Sequence, residues 1–161
     1  MTFDVEISRL LLSAILGAVV GVERQIHKRA AGFRTHILVC VGSTLFMLTS
    51  ISVALSYSHA GDVDPSRIAA GVVTGIGFLG AGAIIRYGEA IKGLTTAASV
   101  WVVSSIGLSV GAGMYLSAIV TTLIVLVVLI LSRVEEQFEI KRGNVKGKTQ
   151  NMKDLNGSEE K

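Results

Sequence analysis

The chain has 161 residues, half of them apolar and only 17% charged, with a mean hydropathy of +0.61. Soluble domains of this length carry about a quarter charged residues and lack long uninterrupted apolar runs. Here residues 133–161 hold 13 of the 27 charged side chains, and 10–22, 35–61, 68–85 and 93–132 contain no Asp, Glu, Lys or Arg. One soluble core cannot bury four such stretches, which excludes soluble catalysis, nucleic-acid reading and disulfide frameworks and points to a polytopic membrane protein.

The first span is expected over about residues 6–22. Asp4 and Glu6 precede it and no Lys or Arg does, so there is no basic lead of a cleaved signal peptide, and the segment is expected to stay in the membrane. Within it Ser13, Gly17 and Gly21 recur every four residues. Lipid tails give helices no hydrophobic reason to associate, so small residues that let backbones approach do that work. A basic loop, 23–34, leads to a second span at 34–56. It holds Cys40, the single cysteine, so neither a disulfide nor a cysteine-based metal site is expected. His27 and His36 show no metal-ligand spacing and are expected as loop or interface histidines. In the next loop Asp64-Pro65 reads as a helix cap followed by proline at the first helical position, with weak divalent-ion capture by Asp62 and Asp64 as the lesser alternative.

The third span, 67–85, carries Gly71, Gly75, Gly77, Gly80 and Gly82 on more than one face. Each interior glycine costs about 1 kcal/mol relative to alanine, so five require compensation. Either neighbours pack on several sides, or the helix is broken around Gly77–Gly82 to line a polar site. Residues 93–132 are long enough for two crossings of roughly 20 residues, and a turn marked by Gly107, Gly111 and Gly113 separates spans at 94–111 and 114–132. The polar tail, 133–161, is expected to form a short helix to about residue 141 and then to be disordered.

Loop charge sets the expected orientation. The first loop has Arg24, Lys28, Arg29 and Arg34, the third has Arg86 and Lys92, and the tail has seven more. With five crossings, N-terminus out and C-terminus in, 13 of 15 basic residues fall on the cytoplasmic side, where anionic lipid would attract them. Glu23 stands apart, because topogenesis does not need it. A carboxylate there calls for a partner, and Arg34 and Arg86, at the ends of neighbouring spans, are the candidates. Gly75-Ile-Gly77-Phe-Leu-Gly80 matches the dinucleotide fingerprint by letter only, since it lies inside an apolar span and residues 90–110 contain no acid to hold a ribose.

Several separate motifs resemble one family: GVERQ at 21–25, AGFRTHILV at 31–39, RIAAG at 67–71, GIGFLGAGAII at 75–85 and GLTTAASVW at 93–101. In this order they are similar to the signature of MgtC/SapB membrane proteins, over about residues 8–131. The resemblance implies a bacterial inner-membrane protein of about five helices. For MgtC-type members it implies a role in virulence and in growth under magnesium limitation, with regulation of the ATP synthase favoured over ion transport. Those members carry a soluble ACT-like domain after the last helix. The tail here is too short for one, and Thr95 and Val102 stand where MgtC-type members have Asn and Cys. A short SapB-like member is therefore expected.

The sequence thus predicts an all-α bundle with a glycine-rich third helix, comprising a membrane domain over 1–132 and a cytoplasmic tail over 133–161. Helix packing is expected at Gly17, Gly21, Gly71, Gly75, Gly77, Gly80, Gly107 and Gly111. A cytoplasmic-side functional cluster is expected from Glu23, Arg24, Arg34, Thr95 and Arg86. No catalytic, cofactor or metal residues are assigned, because the spans offer no acid, base or nucleophile. Magnesium in particular wants octahedral oxygen ligands, usually with carboxylates, and no acid occurs between Asp64 and Glu89. An accessory or regulatory protein is the preferred function, acting by association with another membrane protein or with itself, and involving no nucleic acid. An oligomeric magnesium or anion channel is the alternative.

Overall fold

The structure, a computed structural model, describes residues 3–57, 64–88 and 90–132. Helices α1 (Phe3–Ile26) and α2 (Phe33–Ser56) have 24 residues each, and α3 (Ser66–Ala83) and α4 (Leu94–Gly111) have 18. Helix α5 (Tyr115–Ser132) follows with 18. All five are long and apolar enough to cross a membrane. The shorter helices rise about 27 Å, just under a ~30 Å hydrocarbon layer. The chain divides into two units, 1–126 and 127–161. In the second, Ser132 Oγ donates back to the Leu129 carbonyl at 2.9 Å. The remainder of the tail, with its expected helix and disorder, lies outside the described residues, as do Asp62 and Glu89.

Two boundaries differ from expectation. Helix α1 runs one turn further, to Ile26, because Glu23 and Arg24 are buried instead of ending the helix at the surface. Helix α3 stops at Ala83, where the chain turns into an unanticipated antiparallel hairpin, β1 (Ile85–Tyr87) and β2 (Ala90–Lys92), with Arg86 opposite Ile91. Its two-residue connection opens with Gly88 at φ +60°, the positive φ that tight hairpin turns favour. The return into α4 depends on Gly93. Its φ is +91°, and any Cβ there would collide with the Ala83 carbonyl. At the start of α3, Pro65 is already helical, and Asp64 accepts from the Ser66 amide and hydroxyl, both at 2.8 Å. Those two donors hold the exposed Asp64 carboxyl below the usual carboxylate range.

The core lies where α1, α2 and α4 meet, and glycine makes the approach possible. A Cβ on Gly17 would stand 2.8 Å from Cys40 Cβ and from the His36 carbonyl oxygen, and one on Gly21 2.8 Å from Phe33 Cα. On α4, Gly107 backs onto the Cys40 carbonyl and Gly111 onto Thr44 and Met47. Polar atoms at this dry contact are bonded across it. Thr44 Oγ1 donates to the Gly107 carbonyl at 2.8 Å, and the Ser43 and Ser104 hydroxyls pair at 2.9 Å. At the opposite end of the bundle Arg9 bonds the Gly111 carbonyl at 2.7 Å and the Tyr115 hydroxyl at 2.9 Å.

The glycines of α3 behave differently. The helix is unbroken through Gly77 and Gly82, and only Ile76 and Gly80 on it are buried. A Cβ added at Gly71, Gly75, Gly77 or Gly82 would meet nothing within 4 Å, and one at Gly80 would only touch Ala97 at 3.6 Å. The expectation of close packing at Gly71, Gly75 and Gly77 is therefore corrected. These glycines face outward, because α3 rests on α2 and α4 along one narrow strip. The broken-helix alternative is likewise set aside.

Candidate functional site

Two features stand out, a buried polar cluster at one end of the α1–α2–α4 core and an apolar groove beside it. The cluster begins on the last turns of α1. Glu23 is 9% exposed and Arg24 only 2%. Arg24 Nη1 lies 3.5 Å from Glu23 Oε2, and His27 Nδ1 lies 3.1 Å from Glu23 Oε1. Glu23 and His27 are four apart, so they share a helix face. Both charges of the Glu23–Arg24 pair also act electrostatically on His36, which is fully buried on α2.

His36 joins α2 to α4. Its Nδ1 lies 2.8 Å from the Gly32 carbonyl and its Nε2 3.2 Å from Ser99 Oγ. A carbonyl only accepts, so Nδ1 carries a proton. Nε2 then either accepts the Ser99 hydroxyl proton or, in the imidazolium, donates to Ser99. In the second case Ser99 gives its own proton to the Thr96 carbonyl, 2.8 Å away. The two arrangements differ by the rotation of one hydroxyl, with no heavy atom displaced.

Only two of the five residues of the expected cluster, Glu23, Arg24, Arg34, Thr95 and Arg86, are brought together. Glu23 and Arg24 are together. Arg34 and Thr95 are exposed, and the Arg86 guanidinium bonds the Gly88 carbonyl at 2.9 Å on the hairpin. The pairing of Glu23 with Arg34 or Arg86 is corrected, since the only ion partners of Glu23 among the described residues are Arg24 and His27. Helical phase explains the miss. His36 points into the bundle, and two residues at ~100° each turn Arg34 to the far side. On α4 the inward stripe is Thr96, Ser99, Val100 and Val103, which leaves Thr95 outside. Ser99 and Thr96 were missed, whereas His36 sits at a helix interface as expected. The available signal was the (i, i+3) spacing of Thr96 and Ser99, which puts two hydroxyls on one face of an otherwise apolar helix.

The groove runs between α2 and α3, encloses about 660 Å³, and has Gly42, Gly71 and Gly75 on its walls with Val39, Phe46 and Val72. Its one side-chain hydroxyl, on Ser43, is already bonded to Ser104. Among the described residues no group of three His, Cys, Asp or Glu side chains could hold a metal ion.

Large apolar side chains stand out from every helix, including Leu11, Leu38, Phe78 (83% exposed), Trp101 and Leu123. With polar groups turned inward, this is the surface of a multi-pass α-helical membrane protein. More particularly, the MgtC family model matches residues 10–138, and the chain belongs to that family. It is 49% identical over 126 residues to YhiD of Escherichia coli, whose name carries a provisional assignment as a magnesium transporter, covering 76% of this chain and 58% of that protein. It is 43% identical over 127 residues to protein MgtC of Salmonella typhimurium, covering 79% of this chain and 52% of that one. The chain thus spans just over half the length of these curated relatives. No solved structure matches.

Proposed function

We propose that the chain is a non-enzymatic accessory protein of the bacterial inner membrane. It would hold a transmembrane helix of another protein, or of a second copy, in the α2–α3 groove, in adaptation to low magnesium or acid stress. The observation that carries this reading is the open glycine face. Gly71 and Gly75 have no neighbour within 4 Å of a would-be Cβ, yet they wall an apolar groove of about 660 Å³. Interior glycines cost about 1 kcal/mol each relative to alanine, and close approach of a second helix is the way such a cost is offset in lipid. Transport, the role in the name of one relative, finds less support. At the α1–α2–α4 contact not even a methyl group fits on Gly107, and the groove walls offer an ion no free polar side chain.

Gly75→Leu should therefore leave the thermal stability of the purified chain unchanged while removing whatever copurifies with the tagged wild type in gentle detergent. Partner retention equal to wild type would sink the groove as the contact surface. Magnesium flux through the purified chain in liposomes would favour transport instead. Orientation has its own test, motivated by the 13 of 15 basic residues on one side. A reporter fused after Lys161 should read cytoplasmic, and one inserted near Gly61 should read outside.

A further inference from the structure

Between α3 and α4 the β1–β2 hairpin buries no residue against the helices. Every residue of both strands is exposed, and they form a sheet of two. A two-stranded hairpin is marginal in water on its own and needs an apolar surface to lie against. This one has a face suited to that. Cross-strand partners share a face, and successive residues alternate between faces. Ile85 pairs with Lys92 and Tyr87 with Ala90, so these four stand on one side, with Arg86 and Ile91 on the other. Tyr87 is 64% exposed and Ile85 49%. Lys92 Nζ lies 5.8 Å from the centre of the Tyr87 ring, so its stem follows the same face.

We infer that the Ile85–Tyr87 face of the hairpin lies on the headgroup layer of the bilayer and binds anionic phospholipid there. Connectivity fixes the place. Helices α3 and α4 rise about 27 Å each against a ~30 Å hydrocarbon layer, so their ends reach its edge. Those ends meet, since a Cβ on Gly93 would collide with the Ala83 carbonyl. The hairpin therefore leaves and re-enters at one point of the bilayer surface. It cannot sink further, because its two outer edges have no strand beside them and hydrocarbon offers such backbone groups no partner. Standing up in water would leave Ile85 and Tyr87 wet, whereas lying down covers them. Tyrosine rings favour headgroup depth. A lysine stem can rest on apolar surface while its ammonium reaches a lipid phosphate. Arg86 and Lys92 outweigh Glu89 by one charge over 85–92, which directs the preference to anionic lipid. The competing occupant, a strand of another protein added to an open edge, would cover the same face without lipid.

This inference is independent of what fills the α2–α3 groove. The test uses the full chain with Trp101, its single tryptophan, changed by Trp101→Phe. Tyr87→Trp, Ile85→Trp or Ile91→Trp is then added, one at a time. Each variant is placed in nanodiscs of phosphatidylcholine and phosphatidylglycerol carrying phospholipid spin-labelled at the headgroup, high on the acyl chain, or near its end. Tyr87→Trp and Ile85→Trp should lose most intensity to the headgroup and shallow labels, emit to the blue of Ile91→Trp, and resist acrylamide. Ile91→Trp, on the opposite face, should be quenched by acrylamide instead. Pure phosphatidylcholine should shrink the blue shift, and Lys92→Gln beside Tyr87→Trp should remove that dependence on lipid charge. All these positions are exposed, so thermal unfolding should be the same throughout. Equal acrylamide quenching of the two faces would overturn the inference, because the hairpin would then stand in water. Protection of positions 85 and 87 from acrylamide and from every lipid label would overturn it too, because protein would then cover the face. A blue shift indifferent to phosphatidylglycerol would overturn the anionic preference.

Discussion

Gly107→Leu should destabilise the purified chain at or beyond the top of the roughly 1–3 kcal/mol range typical of overpacked cores. The first added carbon would already collide with the Cys40 carbonyl and stand 2.9 Å from Ser43 Cβ. Both obstacles are fixed. One is helix backbone, and the other belongs to a serine held by its bond to Ser104. Separating α2 from α4 to make room would also break the Thr44–Gly107 hydrogen bond. Thermal and denaturant unfolding in mild detergent measure the effect. Gly75→Leu, equally apolar and equally bulky, is the internal control, because its side chain enters open space. Equal losses for the two would mean that α3 is packed as tightly as α4.

Glu23→Ala should cost about 3–5 kcal/mol, the usual penalty for removing one partner of a buried ion pair. Arg24, 2% exposed, would lose the adjacent carboxylate, and His27 would lose the nearby carboxylate charge while keeping its hydrogen bond to the Glu23 backbone carbonyl. Arg34→Ala, on an exposed residue, should fall within about 0.5 kcal/mol of wild type. If Glu23→Ala acts through Arg24, the double variant Glu23→Ala/Arg24→Met should cost less than the two single changes combined, since neighbours in one network do not add. Additive losses, or a loss at Arg34 as large as at Glu23, would return the pairing to the α2 arginine.

The existence of five spans is legible in the chain because absence of charge is a coarse property that survives every detail of packing. Glycine is less transparent. Gly17, Gly21, Gly107 and Gly111 pack closely, whereas Gly71 and Gly75 show the same four-residue spacing and face open space. Spacing says that residues share a face, and it does not say what the face meets. The partner of Glu23 was obscured for a related reason. Reading Arg24 as a surface anchor follows from its place beside a basic loop, yet α1 continues past it and carries it into the core. The hairpin at 85–92 has strands of three residues, too short for any alternating pattern to stand out.

The claim that α2 and α3 receive another helix is tested most directly by placing a photo-crosslinking amino acid at position 75 in living cells and illuminating. The groove predicts a discrete protein adduct, whose mass reports either a second copy or a different chain. The same probe at the exposed position 123 of α5, which does not line the groove, serves as the comparison. Crosslinks to lipid alone from position 75, with no protein adduct, would contradict the account.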